Sequence, residues 1–233
     1  DINSFVEGLN IALTLDGTIT MEFPHLLKLM KLNQFDTIYQ EHFSYFSLEC
    51  VKRIFEAHNL MIYDVEELTT HGGSLRIYAT HLGREKYVES ENVRKVLNDE
   101  REYGLNKVET YKEFYKNVEK IKRDSCKLLI ELKDQGKSIV GFGAAAKGNT
   151  FLNYCGIGKE YIDYVADSSP AKQGMYLPGT RIPIVSPDKI KETKPDYIVF
   201  LPWNLKDELK ELLSYTREWG CKFITFIPEK NVF

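Results

Sequence analysis

The chain of 233 residues lacks the sequence features that mark several large classes of protein. Its four cysteines form no Cys-x-x-Cys pair and its five histidines form no His-x-x-x-His pair, which argues against a zinc site or a disulfide framework. No apolar run reaches the roughly 18 residues of a membrane span, and no signal sequence opens the chain. The net charge of −3 is unlike the basic charge of nucleic-acid-binding domains. We therefore expect a cytoplasmic protein with no metal site, no membrane contact and no nucleic-acid partner.

The most informative segment that is present is a glycine-rich loop, Ser138-Ile-Val-Gly-Phe-Gly-Ala-Ala-Ala-Lys-Gly-Asn-Thr150. The pattern predicts an apolar strand, a tight turn and the start of a helix. Gly141 and Gly143 would let a phosphate approach the first helical N–H groups, with Ala145, Lys147 and Asn149 beside it. The loop matches neither a Walker loop nor the full dinucleotide fingerprint, which would have glycine at Ala146. A phosphate site and tight strand–helix packing without a ligand both remain open at this point.

Residues 1–83 form a first block that alternates predicted helices and strands. Helical periodicity covers about 3–14, 25–32 and 48–58, and Ser47 has the character of an N-cap for the third helix. Strand patterns cover 18–23, 60–69 and 74–81, the last two joined by His71-Gly72-Gly73 as an antiparallel pair. The chain begins without a methionine and almost directly in a helix, which suggests a fragment.

Residues 84–136 are charged and predict a helical connector, with one long helix over about 109–132 that stops at Gly136. Residues 137–233 then alternate apolar strands (the one that opens the glycine-loop segment, 161–166, 197–201 and 223–227) with helices, which indicates a doubly wound parallel sheet. Ligands of such sheets bind beyond the carboxyl ends of the strands, and that rim holds Asp167, Lys172 and Asn204 besides the loop. Asp167 stands where dinucleotide-binding proteins contact a ribose hydroxyl, although capping a turn is an equal alternative.

Three groups of motifs resemble the sugar C-methyltransferases, which use S-adenosylmethionine to methylate a carbon of a nucleotide-linked keto sugar. The first group is Glu22-Phe-Pro-His25 with Phe35-Asp-Thr-Ile-Tyr-Gln-Glu-His-Phe-Ser-Tyr-Phe-Ser47. The second is His71-Gly-Gly-Ser-Leu-Arg76. The third joins the glycine loop with Asp167-Ser-Ser-Pro-Ala-Lys-Gln-Gly174 and Leu177-Pro-Gly-Thr-Arg-Ile-Pro183. They follow the family's order across nearly the whole chain.

The resemblance implies a fold: the C-terminal part of a class I methyltransferase sheet, followed by a Rossmann-like doubly wound parallel-sheet domain. It also implies catalytic roles for Tyr39, Glu41 and His42. His42 would be the base that forms an enolate of the keto sugar, Glu41 would orient it or contact the substrate, and Tyr39 would donate to the enolate oxygen. The sequence departs from the family at Gln40, where a histidine is usual.

The family's zinc module, its glycine-rich motif for S-adenosylmethionine and a further active-site histidine have no counterpart in these residues. We therefore expect the 233-residue chain alone to be inactive and to hold no zinc and little of the methyl-donor site. The nucleotide of the sugar substrate, dTDP by resemblance, would lie at Gly141, Gly143, Ala145, Lys147, Asn149, Asp167, Lys172 and Asn204.

Two alternatives stay open. One is an NAD-dependent epimerase or reductase of sugar nucleotides, although no Tyr-x-x-x-Lys pair follows Gly141. The other is a nucleotide-binding module without catalysis.

Overall fold

A computed structural model describes all 233 residues and shows a mixed α/β protein. Its contacts divide the chain into two compact units. Unit 1 comprises Asp1–Lys31 and Phe43–Glu113, and unit 2 comprises Leu32–His42 and Phe114–Phe233. None of the helices combines the length and the apolar composition that a membrane span requires.

Unit 1 places three strands and four helices around one apolar core. The elements are α1 (Ile2–Ala12), β1 (Ile19–Pro24), α2 (Leu26–Lys31), α3 (Leu48–Ala57), β2 (Leu60–Leu68), β3 (Ser74–His81) and α4 (Glu91–Tyr103). Ser47 caps α3 as predicted, since its side chain accepts a hydrogen bond from Cys50 N at 3.1 Å.

The sheet of unit 1 has the order β1-β3-β2 and is antiparallel throughout. The predicted β2–β3 pair is confirmed, and a turn through His71 (φ 55°), Gly72 and Gly73 joins its strands. Alternate residues of β2 and β3, among them Ile62 and Ile77, are buried in the core.

A buried polar pair ties α2, α3 and α4 together. His25 Nε2 lies 2.8 Å from Glu100 Oε1, and both side chains are almost wholly buried. The Glu100 carboxylate also accepts from Leu48 N at 2.6 Å and from Glu49 N at 3.1 Å. An acceptor at these first amides satisfies donors that have no partner within the helix, so Glu100 stabilises the start of α3.

Unit 2 is built on a six-stranded sheet. Its elements are most of α5 (Val108–Asp134), β4 (Ile139–Phe142), α6 (Ala146–Cys155), β5 (Val165–Ala166), β6 (Ile184–Val185), α7 (Asp188–Thr193), β7 (Tyr197–Phe200), α8 (Lys206–Leu212), β8 (Lys222–Thr225) and β9 (Asn231–Val232).

The strand order is β6-β5-β4-β7-β8-β9, parallel except for the final β9. The predicted parallel sheet is confirmed. The structure differs in the length of β5, which has two residues instead of six, and in the short edge strands β6 and β9, which were not predicted. A two-residue strand such as β6 or β9 carries too little alternation to be visible in a sequence.

The chain passes between the compact units at residues 31/32, 42/43 and 113/114. Residues 84–113 pack with the first block and residues 114–136 with the second. The segment 32–42, which contains Tyr39 and His42, packs in unit 2 although it lies inside the first block of the sequence. Phe35 accounts for this placement, because its ring packs on Phe151 and Tyr154 of α6.

Candidate functional site

The glycine loop makes the predicted strand–turn–helix. β4 ends at Phe142, Gly143 turns with φ 85°, and α6 begins at Ala146. A side chain at Gly143 would also meet Pro202 Cδ at 2.6 Å. Glycine is therefore required there both for the positive φ and for the approach of the next strand's loop.

Gly141, the first glycine of the predicted phosphate loop, allows close packing between strands. It is buried inside β4, where an added Cβ would meet Val165 Cγ2 at 2.8 Å. Gly148 on α6 is closer still to its neighbour, with 2.5 Å between an added Cβ and Leu201 Cβ. Gly148 thus allows the close helix–strand packing that the dinucleotide fingerprint assigns to its third glycine, two residues after Ala146.

The first turn of α6 faces the loop without a side-chain cap. Its N-cap residue is Ala145, whose side chain has no hydrogen-bond acceptor. Asn149 N makes the first intrahelical bond, to the backbone oxygen of Ala145 at 3.1 Å. The N–H groups of residues 146–148 come before this first bond and so have no carbonyl partner within the helix. Such N–H groups are the ones that bind an anion at a helix N-terminus. The Asn149 side chain accepts a hydrogen bond from Asn153 Nδ2 at 3.3 Å, one turn further along α6, and this bond stabilises the helix.

Asp167 is committed to the loop itself. Its carboxylate accepts from Ala144 N at 2.7 Å and from Ser169 N at 2.8 Å. Lys172 completes this arrangement, with Nζ 2.8 Å from Ala144 O and 3.5 Å from Asp167 Oδ2. These bonds correspond to the capping alternative for Asp167. Lys172 stabilises the same loop through its bond to Ala144 O.

Lys147 projects from the first turn of α6 onto the loop after β7. Its Nζ lies 3.3 Å from Asn204 Oδ1 and 4.9 Å from the centre of the Trp203 ring. The side chain is buried, and this burial lowers the pKa of Lys147, while the charge of Asp36 acts in the opposite direction. Lys147 and Asn204, which the sequence places 57 positions apart, are therefore one contact pair.

The segment after Phe35 presents the predicted catalytic residues. Thr37 O lies 2.9 Å from His42 Nδ1, and the centres of the Tyr39 and His42 rings are 4.3 Å apart with the ring planes tilted by 33°. A carbonyl oxygen only accepts, so Nδ1 carries the proton and Nε2 is the basic nitrogen of the neutral ring. Glu41 is exposed, and the group that contacts His42 Nδ1 is the Thr37 carbonyl. Gln40, the departure from the family, is also exposed.

Asp36 is a buried carboxylate that sequence reasoning missed. Its Oδ2 accepts from Trp203 Nε1 at 2.7 Å, whereas its Oδ1 has no hydrogen-bond partner. Burial raises the pKa of Asp36 from 3.8 to about 6, although the Trp203 hydrogen bond and the charge of Lys147 lower it. Asp36 stands inside the motif 35–47 and Trp203 directly precedes Asn204, but nothing in the sequence pairs them across 167 positions.

The structure thus brings two of the predicted sets together in unit 2. Lys147 and Asn204 meet at Trp203, and Trp203 meets the segment that carries Tyr39 and His42. In residues 1–233 no group of three or more His, Cys, Asp or Glu side chains is arranged to hold a metal ion.

Comparisons with known proteins agree with the motif resemblance. The model of the family described as "C-methyltransferase C-terminal domain" matches residues 69–228, more than half of the chain. The C-methyltransferase NovU of Streptomyces niveus is 38% identical over 232 residues, which is 100% of this chain and 55% of NovU. The chain therefore spans little more than half the length of that relative. It belongs to the C-methyltransferase C-terminal domain family.

Proposed function

We propose that this chain is the acceptor-binding part of an S-adenosylmethionine-dependent C-methyltransferase acting on a nucleotide-linked keto sugar, with dTDP as the nucleotide. The observation that carries the proposal is the hydrogen bond from His42 Nδ1 to Thr37 O, 2.9 Å long. This bond leaves Nε2 as the ring nitrogen that can accept a proton, and His42 lies in the same compact unit as the glycine loop.

Methylation at carbon requires a carbon nucleophile, and a keto sugar provides one when a proton leaves the carbon next to the carbonyl. In the proposed reaction His42 Nε2 takes that proton, and negative charge develops on the carbonyl oxygen. The Tyr39 hydroxyl donates a hydrogen bond to this oxygen and so stabilises the enolate. The closeness of the Tyr39 and His42 rings supports these two roles, because both side chains can then act on one small part of the substrate.

The diphosphate of the nucleotide would bind at the start of α6. The amides of residues 146–148 and the cation of Lys147 favour an anion there. Asp167 occupies the Ala144 amide, so the phosphates would lie on the helical side of the loop. Gly141, buried in its strand, would not touch them.

The methyl donor implied by the family is a sulfonium cation, and the residues around the glycine loop do not fit it. Lys147 and Lys172 both direct positive charge toward this loop. We infer that the donor site lies in other parts of the full-length enzyme, and that the chain alone does not transfer methyl groups.

An NAD-dependent reaction is less well supported. NAD recognition of the usual kind uses an acidic residue on the ribose hydroxyls, and Asp167 would have to give up its bonds to Ala144 and Ser169 to do so. Its carboxylate is also only slightly exposed, at 9% for the residue.

Ligand-induced stabilisation separates these functions. A ligand at 100 times its Kd stabilises by about 2.7 kcal/mol, and each kcal/mol raises the Tm of a protein of this size by about 2–4 °C. We expect dTDP to raise the Tm by several degrees, and neither NAD nor S-adenosylmethionine to do so.

Two variants make the test specific to the loop. Lys147→Met should abolish the shift caused by dTDP. Lys159→Met is the matched control, because Lys159 also lies over an aromatic ring, that of Tyr176 at 5.4 Å, but away from the loop. Stabilisation by NAD alone, or an equal dTDP shift in Lys147→Met, would contradict the proposal.

A further inference from the structure

A chain of contacts inside unit 2 connects the glycine loop to the candidate base. It begins at Lys147, whose Nζ lies over the Trp203 ring at 4.9 Å. Trp203 Nε1 donates to Asp36 Oδ2 at 2.7 Å. Asp36 is followed in the chain by Thr37, whose carbonyl oxygen accepts from His42 Nδ1 at 2.9 Å.

The link between Asp36 and His42 runs through a compact turn. Thr37 N donates to Gln34 O at 3.1 Å, and the Thr37 hydroxyl donates to the same oxygen at 2.8 Å. Tyr39 N donates to Thr37 O at 3.1 Å, and His42 N donates to Tyr39 O at 2.9 Å. The direction of the Thr37 carbonyl is therefore fixed together with the backbone around Asp36.

Asp36 itself is out of reach of a substrate. The residue is fully buried, and the cavity beside it, which Trp203 and Phe151 also line, measures about 10 Å³. A space of that size holds one water molecule at most. A buried carboxylate with one unpartnered oxygen lowers the stability of the fold. A role of Asp36 in the surrounding structure would explain why this position carries a carboxylate.

We propose that Asp36 is a positioning residue, which through Trp203 anchors the turn that keeps the proton of His42 on Nδ1 and its basic lone pair on Nε2. The inference goes beyond the proposed function by naming what orients the base, and it rests on that function only in taking His42 as the base. Glu41, the residue that the sequence suggested for orientation, has no part in this contact chain.

The test compares the two tryptophans of the chain. Trp203→Phe removes the N–H donated to Asp36 but keeps a ring beneath Lys147. Trp219→Phe is the matched control, since Trp219 Nε1 donates to Pro195 O at 3.1 Å elsewhere in unit 2. The measurement is the ¹⁵N spectrum of the histidine rings of the 233-residue chain, in which Nδ1 and Nε2 shifts report the tautomer of each ring.

In the wild type and in Trp219→Phe, we expect His42 to be protonated on Nδ1. In Trp203→Phe the ratio of the two tautomers should fall about fivefold, the change that corresponds to losing one hydrogen bond of ordinary strength. The single variant Asp36→Asn retains an oxygen that accepts from Trp203, so its His42 spectrum should equal that of the wild type. This result would show that the hydrogen bond to Trp203, and not the charge of Asp36, anchors the turn. The rings of His58 and His81 should not change in any variant, which checks that unit 1 is intact, and Trp219→Phe is the matched check within unit 2.

Equal His42 spectra in Trp203→Phe and Trp219→Phe would overturn the proposal. An Nε2-protonated His42 in the wild type would do so without any variant, so the test does not depend on how Trp203→Phe folds. Failure of the proposed function is distinguishable: a full-length enzyme with His42→Asn that still methylates would remove the base assignment, whatever the tautomer measurement gives.

Discussion

Replacing Asp36 by asparagine should stabilise the protein at neutral pH and flatten part of its pH dependence. The folded-state pKa of Asp36 is raised from 3.8 to about 6, chiefly by burial. Between these two values the folded protein holds a proton that the unfolded chain has released, so stability falls as pH rises through this window. The raised pKa corresponds to about 3 kcal/mol lost between pH 3.8 and 6, at about 1.4 kcal/mol for each unit.

The assay is urea unfolding of the wild type and of Asp36→Asn at several pH values from 4 to 7. The difference between the two proteins isolates Asp36, because all other titrating groups are common to both. We expect similar free energies of unfolding near pH 4, where Asp36 is protonated and resembles the amide. Near pH 7 the variant should be more stable by about 3 kcal/mol, which is about 1 M or more in the urea midpoint.

Asparagine keeps an oxygen that can accept from Trp203 Nε1, so the variant loses charge without losing the hydrogen bond. A difference that stays constant from pH 4 to 7 would refute the reasoning, since it would mean that Asp36 does not titrate within this window. A wild type that is the more stable protein at pH 7 would refute it equally.

Two further predictions concern His42 and Asp196. His42→Asn in the full-length enzyme should lower kcat about 10²–10⁴-fold, whereas His58→Asn, a control in unit 1, should change it little; a loss of only a few-fold on His42→Asn would contradict the base assignment. Asp196 has a lowered pKa because Ser138 N and Oγ donate to it, so it stabilises the fold above about pH 4 and less in acid. Asp196→Asn should cost about 1 kcal/mol at pH 7, a value reduced for the exposure of this side chain, and urea unfolding should show the cost vanish toward pH 3.

Much of the fold could be predicted because its signals are local. The apolar strands β4, β7 and β8, the long helix α5 and the β2–β3 pair all follow from the periodicity of neighbouring residues and from turn-forming glycines. The two-residue strands β6 and β9 could not, and β5 was predicted too long, since the extent of these strands is decided by the sheet beside them.

The candidate site divides in the same way. The sequence alone determined that a glycine loop opens a helix, that Lys147 lies in its first turn and that His42 follows Tyr39 in a motif that resembles those of the sugar C-methyltransferases. Those features depend on residue type and spacing, which the chain carries in every conformation.

Only the tertiary structure decided what each of these side chains touches. It put Asp167 on the Ala144 amide and used Gly141 and Gly148 for packing. It also packed Phe35 on α6 and joined Asp36 to Trp203 across 167 positions, and these two contacts tie the Tyr39–His42 segment to the unit that holds the loop. The physical reason is that a buried hydrogen bond forms where packing excludes water, and packing between distant segments is a property of the folded chain as a whole.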